Sequence, residues 1–241
     1  MQNIFTIAKR ELNSYFVSPI AYVAVAVFML ISGFIFWLDI TGTAMNQQPA
    51  SMGGQLSTMA FLWLFFAPAV TMRLLAEEQK MGTLEILLTA PVRDWEVVMG
   101  KFLASVGVLV LTLALSLSYV LLITTFGDLD LGPVAAGYLG LLMAGSALFS
   151  IGLLASALTQ NQVVAAVVAI VANLVIWIIS AAGQSLAGSG PAQILNQLGF
   201  YEHTVNFWRG IIDTNDLVYF VSLIALSLFI ATRVLETRRW R

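Results

Sequence analysis

Cysteine is absent from the chain of 241 residues, which excludes a disulfide framework and any thiolate metal site. Histidine occurs once, as His203, so a zinc site of the H-E-x-x-H type cannot form. The sequence has no G-x-S-x-G elbow and no G-x-x-x-x-G-K-[ST] phosphate loop, because Gly100-Lys101 lacks the upstream glycine. The chain is therefore expected to be non-catalytic, with no metal or cofactor of its own. If ATP drives it, another subunit holds the nucleotide. Charge is scarce as well. Asp, Glu, Lys and Arg make up 10% of the residues, against about 25% in soluble domains. The formal net charge of −2 and the lack of a basic stripe exclude a nucleic-acid partner. Between Leu131 and Tyr201 there is no Asp, Glu, Lys, Arg or His at all. Ion-coupled carriers usually keep such groups inside the membrane, so their scarcity argues against proton or sodium coupling.

What the chain has in abundance is apolar sequence, at 59% of residues. A bilayer core of about 30 Å needs about 20 apolar residues per helix. Six runs meet that length: 20–38, 56–75, 97–126, 134–158, 163–182 and 217–235. The fold class is an all-α integral membrane protein of six transmembrane helices. Asp39 to Gln55 reads as a loop, and Gly127 to Pro133 and Thr159 to Gln162 read as short turns. Pro68 kinks the second span, and neighbouring helices are expected to satisfy the carbonyl that it frees. Ala136, Gly140 and Ala144, then Gly152 and Ser156, put small residues at four-residue spacing on the fourth span, which predicts close helix packing.

Two segments are amphipathic rather than spanning. Residues 1–17 place Ile4, Phe5, Ile7, Ala8, Leu12, Tyr15 and Phe16 mostly on one helical face, with Lys9, Arg10 and Glu11 on the other. That pattern predicts a helix lying in the membrane interface, basic residues toward lipid head groups. Ser18-Pro19 ends it. The late position of Lys9 and Arg10 predicts that the first span is retained, not cleaved as a signal peptide. Residues 183–216 are too polar to span and too apolar for an ordinary loop, which predicts one or two short helices at the opposite interface. Glu202 and His203 there read as a polar pair.

Ten of the eleven Lys and Arg residues fall on the side of the termini, and Arg209 alone on the other. The positive-inside rule then places both termini in the cytoplasm. On that side lies a polar island from Arg73 to Lys101, containing Glu77, Glu78, Lys80, Glu85, Arg93, Asp94 and Glu96. Thr83 can cap a short helix, Pro91 ends it, and Asp94 can cap the next, which runs into the third span. A force on this piece would move two spans together.

The island reads Glu77-Glu78-x-x-x-Gly82-Thr83-Leu84-Glu85-x-Leu87-Leu88-Thr89-x-Pro91-Val92, with Gly100-Lys101 opening a span. In this it resembles the first cytoplasmic loop of ABC-2 type transporter permeases. The start, Arg10-Glu11-Leu12-x-x-Tyr15-Phe16-x-Ser18-Pro19-x-Ala21-Tyr22, and the end, His203-x-x-x-Phe207-x-Arg209-Gly210-x-x-Asp213-Thr214-x-Asp216-x-x-Tyr219-Phe220, are similar to the GldF-like branch, which includes gliding-motility and NosY-related permeases. The resemblance implies a multi-pass protein of the bacterial cytoplasmic membrane, working as a dimer on a pair of ATPase subunits that bind ATP and magnesium. It implies a coupling helix at 77–91, with Glu77, Glu78, Lys80, Gly82, Thr83, Leu84 and Glu85 at the ATPase contact. It implies outer re-entrant helices carrying Glu202, His203, Phe207 and Arg209. It also implies a second permease copy, or a GldG-like subunit with an extracytoplasmic domain, as partner. A dimer through the first and fifth spans is expected. Reversing charge at Glu78 or Glu85 is expected to weaken ATPase association while folding persists. A membrane scaffold that transmits force without moving solute would use the same coupling helix. A stand-alone secondary carrier is disfavoured by the lack of embedded charge and of an internal repeat.

Overall fold

Helix follows helix because the long apolar runs can satisfy their backbone groups in lipid only from within. The computed structural model describes residues 2–45, 51–83, 92–126, 129–185 and 197–239. The described helices are α1 (Gln2–Val17), α2 (Pro19–Met45), α3 (Gly53–Thr71), α4 (Ala76–Lys80), α5 (Asp94–Phe126), α6 (Leu131–Leu158), α7 (Gln162–Ser185), α8 (Phe200–Trp208) and α9 (Thr214–Arg239). Seven of them, α2, α3 together with α4, α5, α6, α7 and α9, supply the six stretches long and apolar enough to cross a membrane. The end of the bundle that carries α1 and the end of α9 is here the near face, and the other end is the far face.

Several boundaries differ from the sequence expectation. α2 continues through the stretch read as a loop, to Met45. Nothing between Asp39 and Met45 breaks a helix, and the Thr41 hydroxyl donates to the carbonyls of Trp37 and Leu38 at 3.0 and 2.9 Å. α6 begins at Leu131, not 134, because the Asp130 carboxylate accepts from the Gly132 amide at 3.0 Å as its N-cap. α3 ends at Thr71, before the expected 75, in an irregular turn that leads into α4. Of the region 183–216, the short helix α8 is seen, and 186–196 lies outside the described residues.

α6 is the hub. It packs against α3, α5, α7, α8 and α9, and Ala136, Gly140, Ala144, Gly152 and Ser156 are all buried there. The small-residue stripe does what its spacing predicts. A methyl group on Gly140 would sit 2.5 Å from Cβ of Phe207, and one on Gly152 would overlap the Thr71 hydroxyl. Without water to drive helices together, such close backbone approach is the main source of association in a bilayer. An aromatic knot of Phe28, Trp63, Phe66 and Phe149 joins α2, α3 and α6, with ring centroids 5.1 to 6.2 Å apart. The carbonyl freed by Pro68 finds a neighbouring helix, as expected. Proline at 68 leaves the Leu64 carbonyl without its helical donor, and Asn173 of α7, fully buried, donates its amide to that carbonyl at 3.3 Å.

α1 is helical with one face packed on α5, but its apolar residues divide. Ile4, Ile7, Ala8 and Tyr15 are buried, whereas Phe5 and Phe16 point away from the protein. Seventeen residues at 3.6 per turn sweep a wider arc than one stripe can cover. Ile7 and Leu12 occupy the notches left by Gly100 and Gly107 of α5.

Candidate functional site

The polar residues of the near face converge on the break between α3 and α4. Where a helix unwinds inside an apolar body, each freed backbone group needs a partner. Two other elements supply them. Ser156 of α6 accepts from the amides of Leu75 and Ala76, both at 3.0 Å, and donates to the Met72 carbonyl at 2.9 Å. Tyr15 of α1 donates its hydroxyl to the Val70 carbonyl at 2.8 Å. Burial, reinforced by the nearby Glu11 carboxylate, pushes the Tyr15 phenol far above its ordinary range, so it remains a donor. Gln79 of α4 donates to the Ala157 carbonyl at 3.1 Å. The break is thus stitched to α1 and α6.

Beside it lies a four-membered charge cluster. Lys101, one turn into the apolar body of α5, is fully buried. Its Nζ lies 2.8 Å from Glu78 of α4 and 3.1 Å from Glu11 of α1. Arg10 closes the cluster, 3.0 Å from Glu11 and 3.6 Å from Glu78. Two cations and two anions cancel, which is the condition for keeping an ammonium away from water. Next to it Arg73 reaches Glu77 at 3.4 Å and the Ser18 hydroxyl at 2.7 Å. Arg10, Glu11, Tyr15, Arg73, Glu77 and Glu78 line a cleft of about 380 Å³ open to the near face. Asn3 and the Arg93 amide both donate to the Glu96 carboxylate, fastening the start of α1 to the start of α5.

Of the residues singled out in the sequence, Glu77 and Glu78 line this cleft, while Lys80 is exposed at the end of α4. Gly82 takes a φ of 69°, the left-handed geometry that lets α4 stop, and Thr83 donates back to the Glu78 carbonyl at 3.3 Å. Leu84 and Glu85 lie outside the described residues, as does the rest of the 77–91 segment beyond Thr83. Glu78 is part of the fold, so its charge reversal would set a cation against the buried Lys101 and is expected to cost folding stability as well. Glu11, Tyr15 and Ser156 were not legible as partners of the island, nor was Ala157 as the partner of Gln79. The one available signal was a lysine placed inside an apolar run, which calls for a carboxylate from elsewhere.

At the far face α8 is joined to α9. His203 pairs with Asp216, not with Glu202: Nδ1 lies 2.6 Å from Oδ1. Adjacent residues on a helix do not face each other, whereas the first turn of α9 lies directly across from α8. Asn206 donates to the other Asp216 oxygen at 3.0 Å. Phe207 is fully buried against Gly140. Arg209 is exposed and ends α8, its amide bonded to the Val205 and Asn206 carbonyls. Among the described residues no group of three His, Asp or Glu side chains is arranged to hold a metal ion.

Six apolar helices with charge collected at their ends define a multi-pass α-helical membrane protein. A family model described as ABC-2 family transporter protein matches residues 5–238. The chain belongs to that family, whose members are membrane components of ABC transporters, generally non-catalytic and typically working with an ATPase. A search of curated proteins finds no match to the chain.

Proposed function

We propose that the chain is the permease subunit of an ATP-driven complex, moved by an ATPase that docks on the near face. The observation that carries this reading is the junction around Lys101, where one buried ammonium ties α1, α4 and α5 together. A push on α4 is delivered to three elements at once and, through Ser156, to the hub helix α6. The near face is cytoplasmic in this reading, with 77–91 as the coupling segment and with ATP and magnesium held by the partner ATPase dimer. The protein then sits in the bacterial cytoplasmic membrane. α2 and α7 bury the smallest share of their apolar windows, 17% each, which favours a second permease copy along the first and fifth spans. The terminal motifs favour the GldF-like branch, with a GldG-like subunit supplying an extracytoplasmic domain.

The test uses Lys80→Glu and Glu85→Arg in the full chain, co-expressed with the ATPase. Both variants are expected to fold and to lose stoichiometric co-purification with the ATPase. Undiminished recovery of the ATPase with both would end the reading.

A further inference from the structure

A short break separates α3 from α4, and the two residues that close it, Leu75 and Ala76, are fully buried. Among the described residues neither of their amides has a backbone acceptor. Leu74 donates to the Thr71 carbonyl, and helical bonding resumes with Glu77, on the Arg73 carbonyl. Both intervening amides go to Ser156. A hydroxyl has one O–H and two lone pairs. Ser156 uses all three, since it also donates to the Met72 carbonyl at 2.9 Å. One turn earlier on α6, Thr71 fills the notch at Gly152. The last residue of α3 and the first of α4 are thus each held by α6, one helical turn apart, with no bonding capacity left over at the serine.

The tie on the other side of α4 is of another kind. Glu78 meets Lys101 through Oε1, at 2.8 Å. Its Oε2, though buried, has no hydrogen-bond partner among the described residues, and the Oε1 of Gln79 is in the same condition. An ammonium on a flexible four-carbon stem follows its anion and rotates its donors freely. A carboxylate with an oxygen to spare can pass that ammonium from one oxygen to the other. The ion pair therefore tolerates a shift of α4 that the three bonds of Ser156 do not.

We propose that Ser156 is the pivot of α4. It is a positioning residue that fixes the inner end of the helix to α6, while Lys101 is a tether that lets the outer end, from Glu77 to Met81, move. As a step in coupling this rests on the docking of an ATPase at the near face: a push on α4 reaches α6 through fixed bonds, and α1 and α5 through a compliant one. As a joint of the fold it needs no ATPase.

The test is amide hydrogen exchange of the full chain in lipid nanodiscs, without ATPase, read at single residues. In the wild type Leu75 and Ala76 are expected to be as protected as the interior of α6, and 77–81 to exchange faster. Ser156→Ala removes three bonds and is expected to speed exchange at 75–76 by about tenfold or more, with 56–70 and 135–155 unchanged. Ser150→Ala is the control: its hydroxyl is equally buried but bonds the Ala147 carbonyl of its own helix, so exchange at 75–76 is expected to hold. Lys101→Met with Glu11→Gln and Glu78→Gln dissolves the tether and is expected to speed 77–81 while 75–76 stay protected. Four results would overturn the proposal: fast exchange at 75–76 in the wild type, no change there in Ser156→Ala, an effect of Ser156→Ala spread evenly over α3 and α6, or release of 75–76 by the triple variant as large as by Ser156→Ala. The wild-type and triple-variant rates decide it even where Ser156→Ala does not fold. Failure of the ATPase to co-purify overturns the docking reading and leaves these rates untouched.

Discussion

Lys101 carries the sharpest consequence at the scale of single residues. Its ammonium is buried between two carboxylates from different helices. Removing one member of such a set strands the others. Lys101→Met is expected to destabilise the protein by about 3–5 kcal/mol. Adding Glu11→Gln and Glu78→Gln to that variant is expected to recover most of the loss, because the one charge then left in the cluster, Arg10, is more than half exposed to water. Thermal unfolding in detergent decides it, and a triple variant no more stable than Lys101→Met would show that the cluster is not the source. Asn173→Leu removes the donor to the carbonyl freed by Pro68. Interhelical bonds of this kind in membranes contribute about 0.5–1.5 kcal/mol, so a similar loss is expected in the same assay.

Among the elements, α6 decides how the others sit. Its glycines mark where α3 and α8 come within backbone distance. Gly152→Leu is expected to force α3 from α6 and to cost about 1–3 kcal/mol or more, as overpacking does. Gly42→Ala in α2 is the control: a methyl group there meets no atom of the described residues within 4 Å, so stability is expected to hold or rise slightly. Equal destabilisation by both would refute the packing argument. α1 is the other decisive element. It fills the Gly100 and Gly107 notches of α5, supplies Glu11 to Lys101 and supplies Tyr15 to the α3–α4 break. Tyr15→Phe is expected to leave the Val70 carbonyl without that donor, at a cost of about 1–3 kcal/mol.

For the molecule as a whole, orientation in the membrane has the greatest consequence, and the absence of cysteine makes it measurable. Because the natural chain has none, a single introduced cysteine reports its own side of the membrane. Ser51→Cys lies at the far face and Gln160→Cys at the near face, both exposed. In intact cells a membrane-impermeant thiol reagent is expected to label Ser51→Cys and to reach Gln160→Cys only after permeabilisation. The reverse pattern would turn the protein over and place the Lys101 junction beyond the reach of a cytosolic ATPase.

Six spans, the near-face collection of basic residues, the small-residue stripe of α6 and the need for a partner at the Pro68 kink were all legible from residue order. Each is a local consequence: length matched to a bilayer, spacing matched to a helix face, a proline without an N–H. Pairing was not legible. Nothing in residue order says that Lys101 meets Glu11, ninety positions earlier, or that Ser156 caps the start of α4. Nor does it turn His203 away from neighbouring Glu202 toward Asp216. Those choices were made only when the helices packed, because a polar group shut out of water takes whichever partner the packed bundle brings within reach, however far away it lies along the chain.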